Sequence, residues 1–173
     1  MLTRVAGPDT ANSAGGVNWS LWPTGGLNIQ GMAVRTDNPS LRGEISKGEI
    51  SAYRLGIGFQ KSSLGFTGQH LYIEPGVRAD LGFVTRTDIR RSDGLLRLTA
   101  TPRVAGLRRT DLMIVGQYQT RTTGEFQDRV AGPAFSATWD SGENVTPYFK
   151  SGRTRLDGGF ELGCRYPPVT TNP

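Results

Sequence analysis

The chain has 173 residues, a formal charge of +5, 36% hydrophobic residues, 24 glycines, one cysteine and one histidine. A single Cys164 excludes an internal disulfide, and with only His70 beside it no cysteine–histidine metal site can be built. No run of about 18 apolar residues occurs, which excludes a transmembrane helix but not a transmembrane strand, whose apolar positions alternate with polar ones.

The N-terminal "MLTRVAGPDTANSAGG" lacks the apolar centre of a signal peptide, so no signal peptide is expected in this chain and residues 1–14 read as a flexible segment. From there to residue 160 the pattern is that of one all-β domain, followed by an irregular tail at 161–173. "VNWSLW" sets Val17, Trp19 and Leu21 against Asn18 and Ser20, and "PTGG" turns. "LNIQGMAVRT" is the next strand, closed by "DNPS" and a longer loop, "PSLRGEISKGE". In "AYRLGIGFQ", Tyr53, Leu55, Ile57 and Phe59 share one face and Arg54, Gly56, Gly58 and Gln60 the other. "KSS" turns into "LGFTGQHLYIE", which carries His70 and Tyr72.

"ADLGFVTRTDIRRSDG" follows. By parity Arg86, Asp88 and Arg90 fall on one strand face, opposite Phe83, Thr85, Thr87 and Ile89, and "SDG" reads as a turn. "LLRLTATPR" and "TDLMIVGQYQTRT" continue the alternation. "AFSATWD" sets Phe135, Ala137 and Trp139 against Ser136, Thr138 and Asp140. "SGEN" leads into "VTPYFKSGRTRL", where Pro147 weakens the strand signal. The count is about eight to nine strands joined mostly by short turns, an antiparallel up-and-down meander.

Two environments produce such alternation: a segment of a transmembrane β-barrel, with lipid against the apolar face and a wet lumen inside, or a soluble β-sandwich. Three features lean toward the barrel. The polar face is rich in Gly, Thr, Ser, Gln and Arg, aromatics such as Trp22, Tyr53, Phe59, Tyr72, Tyr118 and Trp139 lie near strand ends, and strands of about 8 to 11 residues suit a tilted crossing. The sandwich reading makes Trp19, Trp22 and Trp139 stacking candidates for a glycan, or a surface for a protein partner. A third reading is a small complete eight-strand barrel.

Chemistry is sparse. One histidine without a nucleophile motif makes no catalytic triad, and "GGLNIQG" lacks the strand-to-helix setting of a phosphate loop. Glu74, Asp80, Asp88 and Asp93 could pair as a glycosidase acid and base, but cationic neighbours favour the ionised carboxylate where a general acid needs a proton. No enzyme activity and no cofactor are expected, and with scattered basic residues and no recognition motif nucleic acid is not an expected partner. The strongest constellation is Arg86, Asp88 and Arg90, read as a lumen-facing charge ladder that neutralises itself or favours anionic solutes.

The same region carries a likeness. Through Gly82, Phe83, Val84, Arg86, Thr87, Asp88, Ile89, Arg90 and Arg91, "LGFVTRTDIRRSDG" resembles the outer-membrane β-barrel domain of unknown function found C-terminal to family 9-type carbohydrate-binding modules in Gram-negative bacteria. "NIQGMAVRTDNPS", the "YRLGIGFQ" and "LGFTGQHLYIE" hairpin, and "SGENVTPYFKSGRTRLDGGFELG" with "PPVTT" resemble its flanking strands. Arg78, Ala79 and Asp80 depart from the Asn-Pro-Glu expected before the motif. The resemblance implies an outer-membrane location, lipid and the remainder of a larger barrel chain as partners, and a role in transport or anchoring linked to carbohydrate handling, with this chain a fragment. Trp19, Trp22, Tyr53, Tyr72 and Trp139 would then form aromatic girdles or stack on sugar.

Overall fold

A computed structural model describes residues 2–6, 11–37, 51–77, 86–102 and 104–155. Gly82, Phe83, Val84, Asp80, the loop at 39–49, Cys164 and the tail at 161–173 lie outside them. The described residues form one antiparallel sheet without a helix: β1 (Leu2–Ala6), β2 (Ala11–Thr24), β3 (Leu27–Asp37), β4 (Ser51–Gln60), β5 (Leu64–Ile73), β6 (Ile89–Ala100), β7 (Leu107–Thr120), β8 (Phe126–Trp139), β9 (Asn144–Val145) and β10 (Ser151–Thr154). Each of β1 to β8 pairs with the next, and β9 and β10 both pair with the free edge of β8. The bonds Phe135 N–H to Pro147 O and Phe149 N–H to Pro133 O bridge the gap between β9 and β10. Residues 144–154 thus make one interrupted ninth strand. This is the up-and-down meander expected from the alternation.

Among the described residues there is a single sheet and no second layer, which is not the architecture of the sandwich alternative. Nor is the sheet closed: β1 and β10 are not in contact, which removes the complete eight-strand barrel. The segment expected to be flexible contributes β1, which pairs Leu2 with Gly15 through Ala6 with Ala11.

One turn expectation fails, and one strand is longer than its alternating stretch. "SDG" does not turn: Ser92, Asp93 and Gly94 lie inside β6, paired with His70, Gln69 and Gly68 on one side and with Tyr118, Gln117 and Gly116 on the other. Ladders on both sides outweigh a local turn preference. β8 begins at Phe126, ahead of the alternating "AFSATWD", and runs through Gly132 and Pro133. Pro133 is tolerated because its carbonyl accepts from Phe149, so its missing N–H points to the interrupted ninth strand and costs no bond to β7.

The connections sort by end. Gly25 and Gly26, residues 61–63, residues 101–106 and residues 140–143 join strands at one end. Gly26 sits at φ 91°, and Ala105 and Gly106 both have positive φ, as a tight type I′ hairpin needs. These turns are also tied side to side, by Gln60 N–H to Gly26 O, Thr99 N–H to Ser63 O and Asp140 N–H to Gly106 O. The opposite end carries the two longest connections, 38–50 and 74–88. These are the short-turn end and the long-loop end below.

Candidate functional site

Side-chain exposure alternates along β6, β7 and β8 in a sense opposite to that of a water-soluble sheet. On β6, Leu96, Leu98 and Ala100 are exposed while Arg91, Asp93, Arg97 and Thr99 are half-buried. On β7, Leu112, Ile114 and Tyr118 are exposed while Asp111 and Gln119 are buried and Gln117 half-buried. Cross-strand registers carry the pattern across the sheet. Leu27, Phe59, Phe66, Leu96, Ile114 and Pro133 form one outward row, and Leu64, Leu98, Leu112 and Phe135 the next. Leu21, Leu98 and Ile114 are 56%, 46% and 51% exposed. Among the described residues the only buried hydrophobic side chains are Val77, Ile89 and Ala137, whereas Thr36, Asp111, Gln119, Thr120, Gln127 and Ser136 are buried and polar. Burial therefore favours polar side chains, the reverse of ordinary core selection.

The polar face is concave. It walls a cavity of about 860 Å³ whose lining runs from Asn28 and Gln30 on β3 through Thr67, Gln69, Asp93 and Gln117 to Val130 on β8, with Lys150 from the ninth strand. Its polar groups satisfy one another: Gln69 Nε2 donates to Asp93 Oδ1 at 3.1 Å and Arg91 Nε to the same oxygen at 3.0 Å. Gln117 Nε2 and Thr154 Oγ1 donate to Asp128 at 3.1 and 2.8 Å. Nearer the short turns Arg109 grips Asp111 with two bonds, 2.8 and 2.9 Å, and Thr99 donates to the same carboxylate. Arg97 Nε, also on this face, has no hydrogen-bond partner. Leu95, Val115 and Val130 stand among these polar groups, so the lining is mixed, with its charges and amides paired to one another. Among the described residues no three His, Cys, Asp or Glu side chains converge as metal ligands.

The expected charge ladder is not assembled. Asp88 has φ 57°, which breaks the alternation, and the strand starts only at Ile89. Arg86 lies ahead of the strand and exposed; Asp88 accepts from Thr122 N–H at 3.0 Å and from its hydroxyl, and lies 3.9 Å from Arg121. Arg90 is exposed on the outward face opposite Tyr72 and Thr120. The inward charges of β6 are instead Arg91, Asp93 and Arg97. Their signal was in the sequence, as odd positions continuing through "SDG" into "LLRLTA", but the assumed turn cut it in two.

Of the other residues singled out, Thr87 precedes β6 and Ile89 is its buried first residue. Tyr53 and Tyr72 stack at 5.1 Å between ring centroids, and His70 bonds Ser92 Oγ at 2.8 Å beside Tyr53. The Trp19 indole covers Gly31, where a β-carbon would collide with the ring. Trp22 is exposed where the β2–β3 register shifts, and Trp139 ends β8. β2 and β8 are not in contact, so the three tryptophans make no common stacking surface. Glu74 Oε2 accepts from Ser51 N–H at 2.7 Å. The described carboxylates suggested as an acid–base pair are thus each engaged elsewhere.

No protein-family model, curated protein or solved structure matches the chain.

Proposed function

We propose that the chain is part of a non-enzymatic outer-membrane β-barrel of a Gram-negative bacterium, with lipid against the apolar convex face and a water-filled lumen against the polar concave one. The observation that carries this reading is the inversion of burial across a single curved sheet. A soluble monomer that exposed Leu21, Leu55, Ile57, Leu96, Leu98, Leu112, Ile114 and Phe135 on one face would exceed the few hundred Å² of contiguous apolar surface such proteins carry. In lipid the same face is solvated, and charges and amides belong on the lumen side.

The open edges fit a share of a larger barrel, since an unpaired strand edge has no place in hydrocarbon. The asymmetry of the connections fits an orientation with the short turns in the periplasm and the long-loop end outside. A role in transport or anchoring linked to carbohydrate handling follows the family resemblance of the "GFVTRTDIRR" region. The cavity's amides and paired charges suit neutral or weakly anionic polar solutes. The test is reconstitution: the chain refolded from denaturant requires detergent or vesicles, floats with vesicles in a density gradient and resists protease there. A monodisperse, folded chain in buffer without detergent would reverse the assignment in favour of a soluble binding module.

A further inference from the structure

Toward the long-loop end the outward face changes character. The row Trp19, Gly31, Leu55, His70, Ser92, Tyr118, Arg129 and Arg153 is polar from His70 onward, and its last two members are arginines directly opposite each other on β8 and β10. Both are exposed, and neither joins an ion pair among the described residues. Like charges at opposed positions of a strand pair repel, with β-carbons about 5 Å apart. The neighbouring carboxylates do not relieve them. Asp128 faces the cavity, Glu125 binds Arg121 and Arg155 at 3.4 and 2.6 Å, and Asp88 is held by Thr122.

Arg129 also lies at a telling height. Trp139, at the other end of β8, is ten residues away. Ten residues rise about 33 Å along a strand, or about 25 Å along the axis of a barrel tilted by about 40°, the height of a lipid-facing belt. With Trp139 at one interface, Arg129 and Arg153 stand at the other, beside the exposed ring of Tyr118.

We infer that Arg129 and Arg153, with Tyr118, form a seat for the phosphate of an anionic lipid headgroup in the leaflet at the long-loop end. This rests on the membrane-barrel reading. Guanidinium forks match phosphate oxygens two at a time, and a shared phosphate turns their mutual repulsion into a bridge. Interfacial tyrosine places its ring in the acyl boundary and its hydroxyl among headgroups.

The experiment uses the full chain in phosphatidylcholine vesicles with trace spin-labelled phosphatidylglycerol or phosphatidylcholine, read by electron paramagnetic resonance as the fraction of label immobilised on the protein. A several-fold preference for the phosphatidylglycerol label is expected. It falls about fivefold with each of Arg129→Gln and Arg153→Gln and is partly kept by the paired lysine variants. Arg108→Gln, an exposed arginine at the opposite end of β7, leaves it in place. Equal immobilisation of the two labels by the wild type, or an unchanged preference in either glutamine variant that still floats with vesicles, overturns the seat and leaves the barrel standing. Failure of the wild type to float with vesicles of any composition overturns both.

Discussion

The two faces of β6 are made from the same twelve residues, yet outward it reads Arg90, Ser92, Gly94, Leu96, Leu98, Ala100 and inward Ile89, Arg91, Asp93, Leu95, Arg97, Thr99. Beyond the ladder the outward set makes only two bonds among the described residues, Ser92 with His70 and a long one from the Thr110 hydroxyl to Ala100 O; the inward set is tied into Asp93 with Gln69 and Asp111 with Arg109. Specific polar bonding is concentrated on the concave side of the sheet, and the exposed leucines on the convex side. A sheet of this kind is held by its backbone ladder and its inward polar network; its apolar face takes its energy from the surrounding medium.

That difference can be broken most forcefully from outside. Leu112→Arg puts a charge in the middle of the outward rows and is expected to cost about 2 to 4 kcal/mol of stability in a bilayer, while Met113→Arg, one residue on and facing inward, costs less than about 1 kcal/mol. Urea titration of the vesicle-bound chain measures both.

Glycines sharpen the contrast. At Gly132 a β-carbon would collide with the Phe149 backbone, whereas Gly116 has open space around it. Gly132→Leu is expected to displace the ninth strand at a cost of about 1 to 3 kcal/mol, and Gly116→Leu to be tolerated. Protease cleavage between residues 140 and 155 distinguishes them.

The inward network gives the next effect. Asp111→Ala leaves Arg109, and Thr99 with it, without their common acceptor, and is expected to destabilise by about 1 to 2 kcal/mol. The same substitution makes the concave face more positive, so under the membrane-barrel proposal conductance in planar bilayers is expected to shift toward anions. The smallest effect is at the stacked outward pair: Tyr72→Leu removes its contact with Tyr53 for about 0.5 to 1 kcal/mol, visible in the same urea midpoint.

The meander was legible wherever alternation ran uninterrupted. "AYRLGIGFQ" places Tyr53, Leu55, Ile57 and Phe59 together, and β4 pairs them with Tyr72, His70, Gly68 and Phe66 on one outward face. It failed where turn-forming residues sit inside long strands. Gly94 is flanked by Gly68 and Gly116 on the neighbouring strands, so three glycines cross the sheet in one row. That row is visible only once the register is known, and without it "SDG" looks like punctuation. The charge ladder failed with it: one residue of left-handed backbone at Asp88 uncouples Arg86 from Arg90, and the inward charges fall on Arg91 and Asp93. The cavity was not legible at all, because it depends on the curvature that brings Gln30 and Gln117 to a common space.

The central claim is the identity of the medium on each side, and β7 tests it most directly. In a Cys164→Ser background, single cysteines at positions 112 to 117 are spin-labelled in vesicle-bound chain, and collisions with oxygen and with a water-soluble nickel chelate are recorded. Oxygen should dominate at 112, 114 and 116 and the chelate at 113, 115 and 117. Chelate access at every position, or the opposite phase, would contradict a lipid-facing convex surface.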